Sequence, residues 1–354
     1  MKYPVKNFLR CVINNFVLRR PIPLLLSFEI TQRCNAKCSF CGYWKLEEFT
    51  PELSLDEIKK LLDSAYDLGC AIFVVTGGES LLRKDLPSVL RYAKETGFST
   101  LLLTNGYLLP QRIHEFYEDL DAVSVSIDFP DARHDKNRGL DGLLEKGIVG
   151  IKQARDYGII ANMNCVVTGQ HSLDDVKELL FLARQLDCGF SVAPLFIRPA
   201  EFTNGAILGT LSKKEEDLMK LNDWNLIRSV IDMLLFYRKN GFRKTIQNTN
   251  SYLRLVKDRA DFTCYPLNLQ LAVASNGTVA TVCAAGLYGS HNLGNVLKQD
   301  LRDIWYSEKA EMLRRKFKEC TLAKSMGCYL LCVAELSLPF HKPAALLDYV
   351  KKVT

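Results

Sequence analysis

The chain has 354 residues, 48% hydrophobic and 24% charged, with a formal net charge of +6. That length suits about two domains and a large core, and the ordinary composition excludes a disordered tail protein, a collagen-like chain and a small disulfide scaffold. No apolar run reaches the roughly 18 residues of a membrane-spanning helix, and the N-terminus lacks the layout of a signal peptide, so the expected location is the cytoplasm.

The first twenty residues carry Lys2, Lys6, Arg10, Arg19 and Arg20 and no acid, so +5 of the net charge belongs to this segment. The rest is near neutral and shows no basic stripe, so no nucleic-acid partner is expected. Val5, Phe8, Leu9, Val12, Ile13 and Phe16 recur at helical spacing, and Lys6, Arg10, Asn14 and Asn15 fall elsewhere. Residues 1–21 thus read as a basic amphipathic helix. Such a helix either packs on the body of the protein or lies on a membrane surface; the second reading makes a lipid substrate attractive.

From residue 24 to 195 strand-like and helix-like segments alternate. The strands are predicted at 24–30, 71–76, 99–104, 122–127, 159–167 and 189–195, short aliphatic runs that suit strands buried on both faces. Ser54 with Glu57 forms a capping box for a helix that stops at Gly69. Further helices are predicted from Asp85 to Gly97, after Pro110, up to Gly158, and from Ser172 to Leu186. Six such units point to an α/β fold with a parallel sheet, a partial or open barrel in preference to a closed eight-stranded one; periodicity alone does not separate that from a doubly wound open sheet. Ser212 and Glu215 suggest another capping box for a helix over 213–240, and a polar stretch QNTNSY follows. Around Ser275, Asn276 and Gly277 a tight turn joins two strand-like runs as a hairpin. The reading in domains is 1–21, a core over 22–211, a helical linker over 212–259, a small α+β module over 260–340, and a tail over 341–354.

Twelve cysteines in a reducing compartment point to metal binding or catalysis, not disulfides. Cys11, Cys70, Cys165 and Cys188 are scattered through apolar surroundings and read as small buried hydrophobes. Cys34, Cys38 and Cys41 cluster just past the first strand, where loops at the C-terminal ends of parallel strands build active sites. Three thiolates suit zinc or an iron–sulfur cluster. Zinc wants a fourth ligand, and no His lies within 70 residues. A cubane on three Cys leaves one iron open for chemistry.

The segment FEITQRCNAKCSFCGYW, with Phe40 before the last Cys, resembles the signature of the radical S-adenosylmethionine (SAM) superfamily. Three further segments match in order. Thr76-Gly77-Gly78-Glu79-Ser80 is similar to the family's glycine-glycine-glutamate motif, with Ser80 where Pro is usual; Thr104-Asn105-Gly106 follows the third strand; and Ser126-Ile127-Asp128, with His134-Asp135, follows the fourth. The resemblance covers about residues 22–200. It implies a six-unit partial βα barrel, a 4Fe-4S cluster on Cys34, Cys38 and Cys41, and SAM bound through Gly77, Gly78, Glu79, Ser126 and Asp128. It also implies reductive cleavage of SAM to a 5′-deoxyadenosyl radical, hydrogen-atom abstraction from a substrate, and an electron donor such as flavodoxin or ferredoxin. Residue chemistry fits: Gly77 and Gly78 permit close backbone approach, Glu79 can accept from an ammonium, and Ser126 and Asp128 can meet ribose hydroxyls or a carboxylate. His134 alone reads as a surface residue.

Cys264-x12-Gly277-x5-Cys283 and Cys320-x7-Cys328-x3-Cys332 resemble the auxiliary-cluster domains called SPASM and twitch. A full SPASM domain has seven cysteines and two clusters. Here five are present, and Thr321-Leu322-Ala323 stands where another Cys is expected. Counting ligands gives one auxiliary 4Fe-4S cluster, held by Cys264, Cys283 and Cys332 with Cys328 or Cys320 as the fourth. Peptide modification, or oxidation of a small molecule or lipid precursor, are the open substrate readings. The competing class is a non-enzymatic iron–sulfur or zinc-binding protein for electron transfer or scaffolding.

Overall fold

The structure is a computed structural model and describes residues 10–11, 13–46, 48–195, 223–281, 292–320, 329, 334–335 and 337–338. The expected Ser212–Glu215 capping box, Cys283, Cys328, Cys332 and the 341–354 tail lie outside the described residues.

Six parallel strands form as the sequence predicts: β1 (Leu25–Thr31), β2 (Ile72–Gly77), β3 (Ser99–Thr104), β4 (Ala122–Ser126), β5 (Ile160–Val167) and β6 (Gly189–Pro194). Between them run α1 (Leu55–Leu68), α2 (Leu86–Thr96), α3 (Leu109–Arg112), α4 (Arg133–Arg138), α5 (Leu143–Asp156) and α6 (Leu173–Gln185). The capping box at α1 is present: Ser54 Oγ accepts the Glu57 N–H and the Glu57 carboxylate accepts the Ser54 N–H. A second one, Ser172 with Asp175, starts α6. The helix expected after Pro110 is broken. One α turn, with Pro110 in its first turn, gives way to 3-10 turns at Ile113–Glu115 and Tyr117–Asp119.

Alternation along the strands sorts side chains onto two faces. Leu26, Phe28 and Ile30 of β1, Phe73 and Val75 of β2, Val123 and Val125 of β4, and Met163 and Cys165 of β5 pack outward against the helices in one buried core. Cys70, Cys165 and Cys188 belong to this core and Cys11 to a smaller one, as expected of small hydrophobes.

The chain after 223 forms α7 (Trp224–Lys239), α8 (Asn250–Lys257), α9 (Pro266–Leu269), β7 (Gln270–Val273), β8 (Thr278–Ala280), β9 (Asn292–Asn295), α10 (Leu301–Trp305) and α11 (Glu308–Lys318). The stretch read as polar linker, QNTNSY, is the start of α8, with the Thr249 side chain accepting the Tyr252 N–H as its cap. The predicted hairpin is β7–β8, antiparallel. It does not stand apart from the core: β7 pairs in parallel with β1, so one nine-stranded sheet runs β6-β5-β4-β3-β2-β1-β7-β8-β9.

At the N-terminus, a one-turn π-helix covers Ile13–Val17. Among the described residues of this segment Cys11 and Asn15 are buried, Cys11 against Leu24, Ala71, Ile72, Val74 and Leu269. The Asn15 amide donates to the Cys11 and Ile22 carbonyls at 3.1 and 2.7 Å. Ile13 and Val17, apolar by type, are 49% and 70% exposed.

Candidate metal centre

β1 ends at Thr31, and the next turns of chain carry the three cysteines over the ends of β1 and β2. Cys38 is buried, Cys34 and Cys41 are half-buried, and none is in a disulfide. The Cys41 N–H donates to the Cys38 carbonyl at 3.2 Å, and Trp44 Nε1 donates to the same carbonyl at 2.9 Å. Burial pushes all three thiols up, Cys34 to about 12. At Cys38 the main opposing influence is the Arg138 guanidinium, and at Cys41 the Tyr43 N–H and then Arg138.

Gly77 and Gly78 serve the loop directly. Gly77 has φ 141°, and a Cβ on it would stand 2.3 Å from the Thr31 carbonyl oxygen; one on Gly78 would stand 2.3 Å from the Arg33 carbonyl oxygen. The close approach these glycines permit is to the strand end that leads into Cys34. It is sealed by Gly78 N–H to Thr31 O at 2.8 Å and Glu79 N–H to Arg33 O at 2.7 Å. The Glu79 side chain is buried. Its Oε1 accepts from the Leu81 N–H at 3.0 Å and Thr104 Oγ1 at 2.7 Å, and Oε2 accepts from the Asn105 N–H at 2.8 Å. Burial raises its pKa, and these three donors oppose the rise. Asn105 reaches on to Asn35 Oδ1 at 2.8 Å. The motif after β3 is thus bonded both to Glu79 and to the cysteine loop.

Ser126 ends β4 half-buried on the inner face of the sheet. Asp128 does not offer a free carboxylate. It is fully buried, and Arg138 grips it bidentately, Nε to Oδ2 at 2.9 Å and NH2 to Oδ1 at 3.1 Å. The Val166 N–H adds a bond to Oδ1 at 3.0 Å. Burial alone would raise this carboxyl, but the Arg138 charge and hydrogen bonds hold it below the usual carboxylate range. In this structure the Asp128 carboxylate is engaged in an internal ion pair. His134, read as a surface residue, is fully buried. Its Nδ1 accepts the Asp128 N–H at 3.1 Å, and burial lowers its pKa to about 4.

Two further residues escaped the sequence reading. Glu29 is buried on the inner face of β1, where the Tyr43 hydroxyl donates to Oε2 at 2.5 Å and Ser275 Oγ donates to Oε1 at 3.3 Å. It joins the cysteine loop to the β7–β8 turn. Arg138 is the other, ten residues along the chain from its partner Asp128.

Away from the cysteines the inner faces of β4, β5, β6 and β7 carry neutral polar side chains among small and aliphatic ones, and no charged one. Asn162 Nδ2 donates to Ser124 Oγ and Ser191 Oγ at 3.1 and 2.9 Å, and Ser191 Oγ donates to Asn164 Oδ1 at 3.1 Å. Gln270 Nε2 donates to Ser27 Oγ at 2.9 Å. Gln270 is 5% exposed, and its Oε1 has no hydrogen-bond partner among the described residues.

Of the second cysteine group, Cys264 and Cys320 are described. Cys264 precedes α9 and packs partly buried against the main core; Cys320 follows α11, its N–H donating to the Phe317 carbonyl at 3.3 Å. The Tyr265 N–H donates to Ser337 Oγ at 2.9 Å, which brings the C-terminal segment to the Cys264 side.

Residues 28–183 match the family described as the radical SAM superfamily, and residues 264–329 match SPASM, an iron–sulfur cluster-binding domain. The chain thus carries a radical SAM domain over residues 28–183 and a SPASM domain over residues 264–329. Radical SAM domains imply a 4Fe-4S cluster and SAM, and SPASM domains imply auxiliary iron–sulfur clusters. The chain is 34% identical over 165 residues to the AdoMet-dependent heme synthase of Nitratidesulfovibrio vulgaris, covering 45% of this chain and 45% of that protein. It is 31% identical to the subtilosin biosynthesis protein AlbA of Bacillus subtilis over 40% of this chain and 33% of that one. It therefore spans less than half the length of these curated relatives. In structure it is similar to SuiB of Streptococcus suis, solved with S-adenosylmethionine and, separately, with the precursor peptide SuiA. The first of these superposes with TM-score 0.65 at 19% identity over 88% of this chain and 71% of that one. That likeness concerns the fold, a partial barrel.

The residues present fit the implied cluster. Three thiols, none in a disulfide, converge on one loop beside a buried cation that favours their ionised form. Among the described residues no three Cys, His, Asp or Glu side chains stand where they could share a single metal ion.

Proposed function

We propose that this radical SAM chain is an enzyme that cleaves SAM reductively and abstracts a hydrogen atom from a peptide substrate. The observation that carries the first part is the seating of the Cys34–Cys41 loop on Gly77 and Gly78, with Glu79 beside it. When bound, a reduced 4Fe-4S cluster on Cys34, Cys38 and Cys41 supplies the electron that splits SAM into methionine and a 5′-deoxyadenosyl radical. The chain's own groups do the rest. Glu79 Oε2, with one protein donor, has a lone pair left for an ammonium such as the methionyl amino group. Ser126 presents a hydroxyl at the rim of the inner face. The buried sheet interior keeps water from a reactive radical.

The peptide reading rests on the inner face. Ser124, Asn162, Asn164, Ser191 and Gln270 are neutral donors and acceptors, the chemistry that pairs with amide groups, and the orphan Gln270 Oε1 calls for a donor such as an N–H. A substrate bearing several carboxylates or phosphates calls instead for Arg or Lys, and no described inward-facing residue of β4–β7 is basic. SuiB is a structural neighbour solved with its precursor peptide. Four of the five cysteines of residues 260–340 are proposed to hold one auxiliary 4Fe-4S cluster: Cys264, Cys283 and Cys332, with Cys328 or Cys320 as the fourth. A low-potential donor of the flavodoxin or ferredoxin class supplies electrons.

The test is anaerobic reconstitution followed by assay with dithionite. About eight irons per chain and SAM-dependent 5′-deoxyadenosine support the enzyme; stoichiometric zinc without cleavage rejects it in favour of a scaffold.

A membrane contact is a second reading, carried by one observation. Ile13, Val17 and Leu18 are exposed on the side of the N-terminal segment away from Cys11 and Asn15, next to Arg19 and Arg20. Apolar residues flanked by cations suit an anionic lipid surface. Co-sedimentation with phosphatidylserine vesicles, compared with a chain lacking residues 1–20, checks it; equal, salt-insensitive lack of binding removes it. No described helix is long and apolar enough to cross a membrane.

A further inference from the structure

The Asp128–Arg138 pair touches more than itself. Beyond the two bonds to Asp128, the Arg138 guanidinium lies 5.6 Å from the ring centroid of Phe40, the residue before Cys41. The backbone carbonyl of Arg138 accepts the Lys37 N–H at 2.9 Å. That of Asn137 accepts the Ser39 N–H at 3.0 Å, and the Ser39 hydroxyl donates to Asn137 Oδ1 at 2.8 Å. At Gly139, with φ 58°, a Cβ would stand 2.9 Å from the Lys37 carbonyl oxygen. Every one of these contacts falls on the short run between Cys34 and Cys41. The C-terminal turn of α4 is the floor on which the cysteine loop rests.

We propose that Arg138 is a positioning residue for this loop, holding it from below and setting a buried positive charge beside Cys38 and Cys41 that eases one-electron reduction of the cluster they carry. The proposal rests on the reading of the loop as the cluster site. The arrangement is directional. Asp128 is locked on the far side by the Val166 N–H, and the Arg138 guanidinium lies against Phe40, the neighbour of Cys41. The pair is therefore neutral as a whole but turns its positive end toward the thiolates. In a poorly screened interior, an added electron is stabilised by a nearby cation. Phe40 shields that cation from solvent.

The experiment compares Arg138→Gln, Arg138→Lys and Asp128→Asn with the wild type after anaerobic reconstitution. It measures iron content and the midpoint potential of the electron-paramagnetic-resonance signal that disappears when Cys34, Cys38 and Cys41 are replaced by Ala. The expected results are a midpoint shifted negative in Arg138→Gln, so that a fixed low-potential reductant gives severalfold less signal, and one shifted positive in Asp128→Asn. Arg138→Lys should stay near the wild type. Opposite shifts identify charge; a purely structural role would move Gln and Asn variants the same way. If Arg138→Gln does not fold, the sign of the Asp128→Asn shift decides. Unchanged midpoints, same-direction shifts, or a negative shift in Asp128→Asn overturn the proposal. A wild type that takes up no cluster on this loop overturns the functional reading first, and this proposal with it.

Discussion

His134 Nδ1 accepts the backbone N–H of Asp128 at 3.1 Å, and His171 Nε2 lies 2.8 Å from the Asp128 carbonyl oxygen. With the side chain held by Arg138 and Val166, every polar atom of Asp128 is engaged inside the protein. A strand end that must turn sharply beside the cysteine loop is fixed by two imidazoles and a guanidinium.

The acid sensitivity of the fold follows from His134. To accept from Asp128 its Nδ1 must be unprotonated, and burial, with Arg138 nearby, lowers its pKa to about 4. In the unfolded chain it titrates near 6.5. Between these values the unfolded state binds more protons, so stability rises with pH. The contribution is full above about pH 6.5 and is lost as pH falls towards 4, on the order of 3 kcal/mol in all. Urea unfolding at pH 7 and pH 5 should show the loss, and His134→Asn should flatten the slope between them. An unchanged slope in that variant removes His134 as the cause.

Breaking the buried ion pair from one side should be expensive. Asp128→Ala leaves the Arg138 charge without a partner, and such losses cost about 3–5 kcal/mol. Chemical denaturation of the apo chain measures this. A cost below about 1 kcal/mol, the scale of an exposed pair, contradicts the burial described for Asp128 and Arg138.

Gly78→Ala tests the seat of the cysteine loop. The new Cβ meets the Arg33 carbonyl oxygen at 2.3 Å and the Gln32 carbonyl oxygen at 2.8 Å. Both are backbone, so relief requires the loop to move. Overpacking of this kind costs about 1–3 kcal/mol. Iron uptake on reconstitution should fall while far-ultraviolet circular dichroism stays the same. Full iron uptake would show that the loop has slack.

Glu79→Gln separates stability from ligand binding. An amide oxygen can replace one carboxylate oxygen, but its NH2 then faces a hydrogen-bond donor, the Asn105 N–H or the pair of Leu81 and Thr104. Loss of charge-assisted bonds to a buried carboxylate costs about 1.5–3 kcal/mol. SAM affinity, followed by equilibrium dialysis, should drop at least tenfold if Glu79 also receives the methionyl ammonium. Unaltered affinity in a stable variant would confine Glu79 to holding the β3 loop.

Much of the fold was legible because its signals are local. All six barrel strands lie within a residue or two of the aliphatic runs that announce them, and Ser54 with Glu57 caps α1 as its spacing requires. Where reading failed, the cause was tertiary. Nothing in RHDKNRG shows that Arg138 turns inward to Asp128, since a charge-rich segment reads as solvated. Likewise Thr249 caps a helix inside a run of polar residues because Tyr252, Leu253, Leu255 and Val256 behind it find a core. Pro110 was seen, but the helix after it broke into 3-10 turns with Ile113 and Phe116 buried. The cysteine trio was plain from spacing; the residues that support it were not, because they come from β1, β4 and α4.

The four-residue ladder between β1 and β7 has a mechanical consequence. A segment laced into the sheet beside the very strand that delivers Cys34 cannot swing away like a hinged cover. Cys264, a short way ahead of β7, is thereby tethered to the same sheet that carries the Cys34 loop.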